Sequence, residues 1–332
     1  MKNYILLLLL TFVAIITSAQ SISSYGPEKM LMQSSRHHLP KNYMLQNGSG
    51  YDVTHYHLKL ELSDTSAFIS GETIITSVLT SSFNDSLVID FSTGMDIQEV
   101  LLNNASVQYT HQNDQLILDV QDDILSPGEI VKVSVFYSGT PTGTYQGRAG
   151  VYNEVHPYEE IPVTYSLSEP FSAKNWFPCK QDLTDKADSV TLEFTVEKRL
   201  KVGSNGLLVN TTDVGDRHVR YTWKSKYPIA YYLISFSVAE YSEYNLYAHP
   251  KGHTDSILII NYIPNTAGYL EKQREKIDVT ADLINYFSDI FTLYPFAEEK
   301  YGHAVAPFGW GMEHQTMSTM FYFELFLVAH EL

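Results

Sequence analysis

The 332-residue sequence contains one cysteine, Cys179. An intrachain disulfide is therefore excluded, and a large hydrophobic core must hold the fold together instead. Basic side chains are scarce as well, 22 against 38 acidic ones, for a formal charge of -16. A surface of that sign excludes nucleic acid and anionic membrane as partners, since both repel it. Internal repeats and low-complexity tracts are missing too. The N-terminal apolar run over residues 5–16 is too short for a comfortable transmembrane helix. What the chain does have is aromatic mass, with 24 Tyr and 16 Phe. Its length allows two domains at roughly 150 residues each.

The N-terminus reads as a targeting segment. Lys2 supplies a charged start, residues 5–16 an apolar stretch, and Thr17-Ser18-Ala19 small residues before a cut near Gln20. Residues 1–19 are thus a predicted signal peptide. No cysteine follows the cut, so a lipid anchor is not expected. The mature chain is expected to be exported, to a periplasm or outside the cell, without a transmembrane segment. Residues 20–50 lack periodicity and read as a leader or strap.

Order begins at Tyr51. Leu58, Leu60 and Leu62 alternate with His57, Lys59 and Glu61, the period-2 pattern of a half-buried strand. His55 and His57 fall on its polar face and read as solvated side chains. Further strands are predicted over 73–79, 87–91, 100–102, 116–120, 130–137, 190–196, 219–223 and 231–238. Turn signals such as Asn103-Asn104, Ser126-Pro127-Gly128 and Asn205-Gly206 separate them. Many short strands without an intervening helix predict an antiparallel sandwich or saddle over residues 51–244. Within it, Cys179 reads as a small buried hydrophobe. Glu169, placed before Pro170, is held in extended backbone and can point outward.

The texture changes near Tyr244. A continuous apolar strand over 257–263 is followed by a predicted cap at Asn265-Thr266 and a helix over 269–291. Ile277, Ala281, Ile284, Phe287 and Phe291 form its apolar stripe. Strands over 301–306 and 312–320 and an apolar helix from Phe323 complete the opening of an α+β domain over residues 245–332. At its end stands His330-Glu331-Leu332, the front half of a zinc-binding HExxH pattern. In that pattern two histidines one turn apart share a metal, and the glutamate between them is the general base.

Taken in order, these landmarks resemble the zinc aminopeptidases of peptidase family M1, the group containing aminopeptidase N. The resemblance runs from Tyr51-Asp52-Val53 through the Glu169 to Cys179 segment, Ser204-Asn205-Gly206-Leu207-Leu208, Tyr227-Pro228-Ile229, Tyr232-Leu233-Ile234-Ser235 and Tyr294-Pro295-Phe296. It closes on Gly311-Met312-Glu313 and His330-Glu331-Leu332. It implies a mainly β N-terminal saddle domain followed by a truncated start of a thermolysin-like metallopeptidase domain. It also implies one Zn2+ ion bound by His330, with Glu331 as general base. Glu313 and Glu169 would bind the free α-amine of a peptide substrate beside Gly311 and Met312.

Three departures stand out. Trp310 occupies a usual glycine position, Leu167 a usual glutamine and His314 a usual asparagine; a packing or orienting role is expected for His314. The second histidine, the glutamate ligand and the supporting tyrosine are expected beyond Leu332, so the chain is expected to be an inactive fragment. A second expectation remains open beside the enzyme: a secreted, non-catalytic β-sandwich module that binds peptide N-termini.

Overall fold

The computed structural model describes residues 50–332 apart from 85, 121–124 and 144–147. The predicted signal peptide, and all of the predicted leader except Gly50, lie outside the described residues. The chain from Gly48 onward is one compact unit.

The strand Tyr51–Glu61 follows the alternation that its sequence sets. Tyr56, Leu58 and Leu60 are buried, while His57, Lys59 and Glu61 face outward. Each buried leucine contributes about 1.5–3 kcal/mol. This strand lies inside an eight-stranded sheet, between Ile69–Leu79 and Ser189–Glu197. The first pairing is antiparallel, the second parallel. The sheet is thus not antiparallel throughout as expected. The long excursion between residues 61 and 189 supplies the crossover that a parallel neighbour requires.

A four-stranded sheet packs against it, ordered Lys201–Ser204, Phe236–Ala239, Pro162–Ser166, Val151–Val155. Phe194 from the large sheet meets Phe236 from the small one with ring centroids 5.4 Å apart. Trp176 approaches Phe236 at the same distance, and its indole N–H donates to Ser168 Oγ at 2.8 Å. Cys179 is fully buried here, and burial pushes its thiol well above the usual range.

The expected strand over 231–238 is divided. A 3-10 turn covers Tyr231–Leu233, and only Phe236–Ala239 is a strand. Side chains claim its backbone: Asn205 Nδ2 donates to Leu233 O at 2.9 Å, and Ser235 N donates to Asn205 Oδ1 at 2.7 Å.

From Tyr241 the chain builds a five-stranded sheet, ordered Tyr241–Ala248, Ile257–Pro264, Tyr301–Val305, Ser318–Met320, Gly311–Met312. Helix α1, Tyr269–Ile290, connects the parallel pair Ile257–Pro264 and Tyr301–Val305. Its Ile277 and Ile284 are buried, but Phe291, expected on the same stripe, is 78% exposed just past the last turn. The helix starts at Gly268, with φ 78, instead of Asn265-Thr266. The Thr266 hydroxyl donates to the Glu159 carboxylate and so leaves the cap free. Helix α2, Leu325–Glu331, buries Val328 in a cluster with Ile263, Val305, Met320 and Phe323.

The expected strand over 312–320 is a hairpin. Gly311–Met312 pairs antiparallel with Ser318–Met320, and the residues between them turn, with Thr316 at φ 64.

Candidate active site

Four acidic or phenolic side chains from distant parts of the sequence meet beside this hairpin. The first is Glu313, which follows the edge strand Gly311–Met312. Pleating buries Met312 and His314 on one face and leaves Glu313 exposed on the other. The second is Glu169, exposed between the buried Ser168 and the half-buried Pro170. Its backbone is fixed from two sides: Arg148 Nη1 donates to Glu169 O at 2.8 Å, and Tyr231 OH donates to Pro170 O at 2.8 Å.

The third is Glu331, in the last turn of α2 and 6% exposed. Ser318 Oγ donates to its carbonyl at 3.0 Å, which ties the helix end to the sheet. Its Oε2 is buried and has no hydrogen-bond partner. Burial first, then the charges of Glu313 and Glu169, push its carboxyl up to about 7. Gly311 makes room for it: a Cβ there would lie 2.2 Å from Glu331 Oε1.

The fourth, Tyr232, was not expected from the sequence as a site residue. Burial raises its phenol, and Glu313 and Glu169 raise it further. The same two carboxylates therefore act on both Tyr232 and Glu331, and the four groups share one electrostatic neighbourhood. The sequence marks Tyr232 as part of the Tyr232-Leu233-Ile234-Ser235 landmark but not as a site residue; the 3-10 turn that presents it is braced by long-range hydrogen bonds at Leu233 O and from Tyr231 OH.

His330, one residue before Glu331 on α2, is exposed. His314 is buried, its Nδ1 2.8 Å from Thr319 Oγ1, and burial pushes its imidazole down to about 3. It is a neutral packing residue beneath the strand. Trp310 is 53% exposed, and its carbonyl accepts from Phe321 N at 2.9 Å. His55 and His57 are engaged on the saddle face by Ser189 Oγ at 2.8 Å and Glu193 Oε1 at 3.0 Å.

A catalytic zinc takes three protein ligands and keeps one position open. Among the described residues no group of three or more His, Cys, Asp or Glu side chains could hold a metal ion. His330 offers one imidazole, so the residues present do not by themselves make a zinc site.

Comparison with known proteins gives a consistent setting. The family model for the peptidase M1 N-terminal domain matches residues 52–233. No curated protein sequence matches the chain. A mutant of a two-domain M1 zinc metallopeptidase bound to L-arginine superposes with a TM-score of 0.70 at 22% identity, over 85% of this chain and 64% of that one. A mutant M1 zinc metallopeptidase from Deinococcus radiodurans, bound to a Tyr-Ser-Ala substrate, gives 0.67 at 24% identity, over 82% and 60%. Yeast LTA4 hydrolase gives 0.62 at 19% identity, over 82% and 41%. The chain therefore spans less than two thirds of the length of each of these structures, and the likeness is one of fold.

Proposed function

The chain belongs to the M1 peptidase family, and from that premise we propose that the whole protein is an exported zinc aminopeptidase that removes N-terminal residues from peptides. The observation that carries this reading is the convergence of Glu169, Glu313 and Glu331 on one neighbourhood from three separate elements. Export rests on the targeting pattern of residues 1–19; no helix among the described residues is long and apolar enough to cross a membrane.

In this reading Glu313 and Glu169 receive the free ammonium of a peptide. A single such contact at about 4 Å is worth between about 1 kcal/mol in bulk water and about 4 kcal/mol at an effective dielectric of about 20. Desolvation of the charges offsets part of that gain. Two carboxylates make the site prefer a chain end over an internal peptide bond, which carries no charge. Tyr232, beside both, offers a phenolic hydrogen to the substrate or to a carboxylate. Glu331, buried and free of a partner at Oε2, is the base that takes a proton from the attacking water. The metal, when bound, would polarise the scissile carbonyl; His330 is the one ligand proposed from this chain.

Residues 1–332 alone are proposed to bind peptide N-termini without hydrolysing them, because no three-ligand site is found among the described residues. The supporting relatives carry an amino acid or a tripeptide in their own sites. Calorimetry with Tyr-Ser-Ala, free or N-acetylated, tests the amine reading. The free peptide is expected to bind at least tenfold tighter, and Glu313→Gln to remove most of that preference, since a factor of ten corresponds to about 1.4 kcal/mol. Equal affinity of the wild-type chain for both peptides overturns the reading.

A further inference from the structure

The turn that follows Glu313 closes on one bond of its own, Met317 N to His314 O at 3.0 Å, and is otherwise held from outside. Thr316 is a β-branched residue at φ 64, a conformation that such residues adopt only when their surroundings impose it. No glycine or proline lies between His314 and Met317 to favour the turn. The constraint comes instead from residues near Asn205, more than a hundred positions earlier. Asn205 Nδ2 donates to Gln315 O at 2.7 Å. Gly206 N donates to Thr316 Oγ1 at 2.7 Å. Lys300 Nζ, fully buried over the Trp223 ring, donates to Thr316 O at 2.8 Å and to Ser204 O at 3.1 Å.

Asn205 also reaches the other members of the site. Its Nδ2 donates to Leu233 O, next to Tyr232, and its Oδ1 accepts from Ser235 N. Phe236 N in turn donates to Ser166 Oγ at 2.9 Å, at the end of the strand that leads to Glu169. One fully buried amide is thus within two residues of Tyr232 and Glu313, and one strand away from Glu169.

We propose that Asn205 is a positioning residue for amine recognition: by bonding Gln315, Leu233 and Ser235 together, it holds Glu313 and Tyr232 at the spacing that an ammonium needs beside Glu169. This rests on the reading of Glu313 and Glu169 as the amine site. Asn205 touches no substrate. Its amide adds to the local bond from Met317 N to His314 O, so the spacing of the carboxylates depends on the β-sandwich as well as on the hairpin. Lys300 and Gly206 support the same turn from its other side.

The test is the ratio of affinities for Tyr-Ser-Ala and N-acetyl-Tyr-Ser-Ala, measured by calorimetry on the chain and on three variants whose folding is checked by thermal unfolding. Tyr244→Phe is the control. It removes a bond to Asp278 Oδ1 at 2.6 Å, on the strand at the opposite edge of the five-stranded sheet from Gly311–Met312. It is expected to lower stability and leave the ratio unchanged. Asn205→Ala is expected to reduce the ratio at least fivefold, mainly by weakening the free peptide. Thr316→Gly suits φ 64, removes the side chain whose hydroxyl accepts from Gly206 N and, at 3.4 Å, from Lys300 Nζ, and is expected to reduce the ratio at least twofold. It carries the test if Asn205→Ala does not fold. A collapsed ratio in a folded variant supports the role. An unchanged ratio in Asn205→Ala, or in Thr316→Gly where that variant stands in, overturns it while leaving the amine site standing. A wild-type ratio of one overturns both.

Discussion

The β-sandwich and the α+β region after Tyr241 solve the burial problem differently. The sandwich packs around large aromatics: Trp176, Phe177, Phe194, Trp223 and Phe236 are all buried, and the indole N–H of Trp176 has its partner in Ser168, while that of Trp223 has none among the described residues. The later region leaves more undone. Ile290, Phe291, Leu293, Leu325 and Phe326 are exposed, and His303 Nε2, His314 Nε2, Gln315 Nε2 and Glu331 Oε2 are buried without hydrogen-bond partners among the described residues. Unpaired buried polar atoms are costly, so natural structures keep them few. Three of them, on His314, Gln315 and Glu331, lie at one hairpin and one helix end, beside the acids of the proposed amine site, although Asn175 Oδ1 and Ser237 Oγ in the sandwich are unpaired among the described residues as well.

The contrast can be broken most directly in the core. Trp176→Ala is expected to cost about 3–5 kcal/mol in urea unfolding, while Phe291→Ala is expected to stay within about 0.5 kcal/mol. Comparable losses would show that the later region is packed as tightly as the sandwich. Next comes Gly311→Ala, where the new methyl would meet Glu331 Oε1 at 2.2 Å. An overpacking cost of about 1–3 kcal/mol is expected, with α2 losing amide-exchange protection before the sandwich does. Protection lost evenly across both regions would contradict the local account.

The smallest effect sharpens the comparison at the seam. Burial pushes the Lys300 ammonium down to about 7, against the partial opposition of Glu299. In the unfolded chain a lysine titrates near about 10.4. Between these values the unfolded state holds more protons, so burial of this group destabilises fully below pH 7, and stability rises as pH climbs from 7 toward about 10.4. The expected gain between pH 7 and 8 is about 1 kcal/mol. Lys300→Met, followed by urea unfolding at both pH values, is expected to remove that gain. An unchanged pH slope would mean that the ammonium keeps its proton when folded.

Much of the frame was legible in the sequence. The alternation of Leu58, Leu60 and Leu62 gives a strand because side chains two apart share a face of a pleat. The Ile277 and Ile284 spacing places two residues on one face of α1 for the equivalent helical reason. Reading failed where long-range hydrogen bonds replaced local signals. The turn at residues 314–317 lacks glycine and proline, so the sequence reads as continuous strand there. Tyr231–Leu233 reads as strand because it is aromatic and apolar, although Asn205 and Pro170 engage it as a turn. Phe291 kept the helical spacing but fell one residue beyond the helix.

The sequence alone determined the strand Tyr51–Glu61 and several others, the helix Tyr269–Ile290, the single cysteine and the acidic side chains available for a site. Each follows from periodicity or side-chain chemistry, which act over a few residues. Tertiary structure decided which of those acids meet. Glu169, Glu313 and Glu331 lie in three different elements, and Asn205 bonds the turn after Glu313 to the backbone beside Tyr232, in one case across 110 positions. Such contacts depend on how sheets pack and not on what neighbours what along the chain, so no local pattern encodes them.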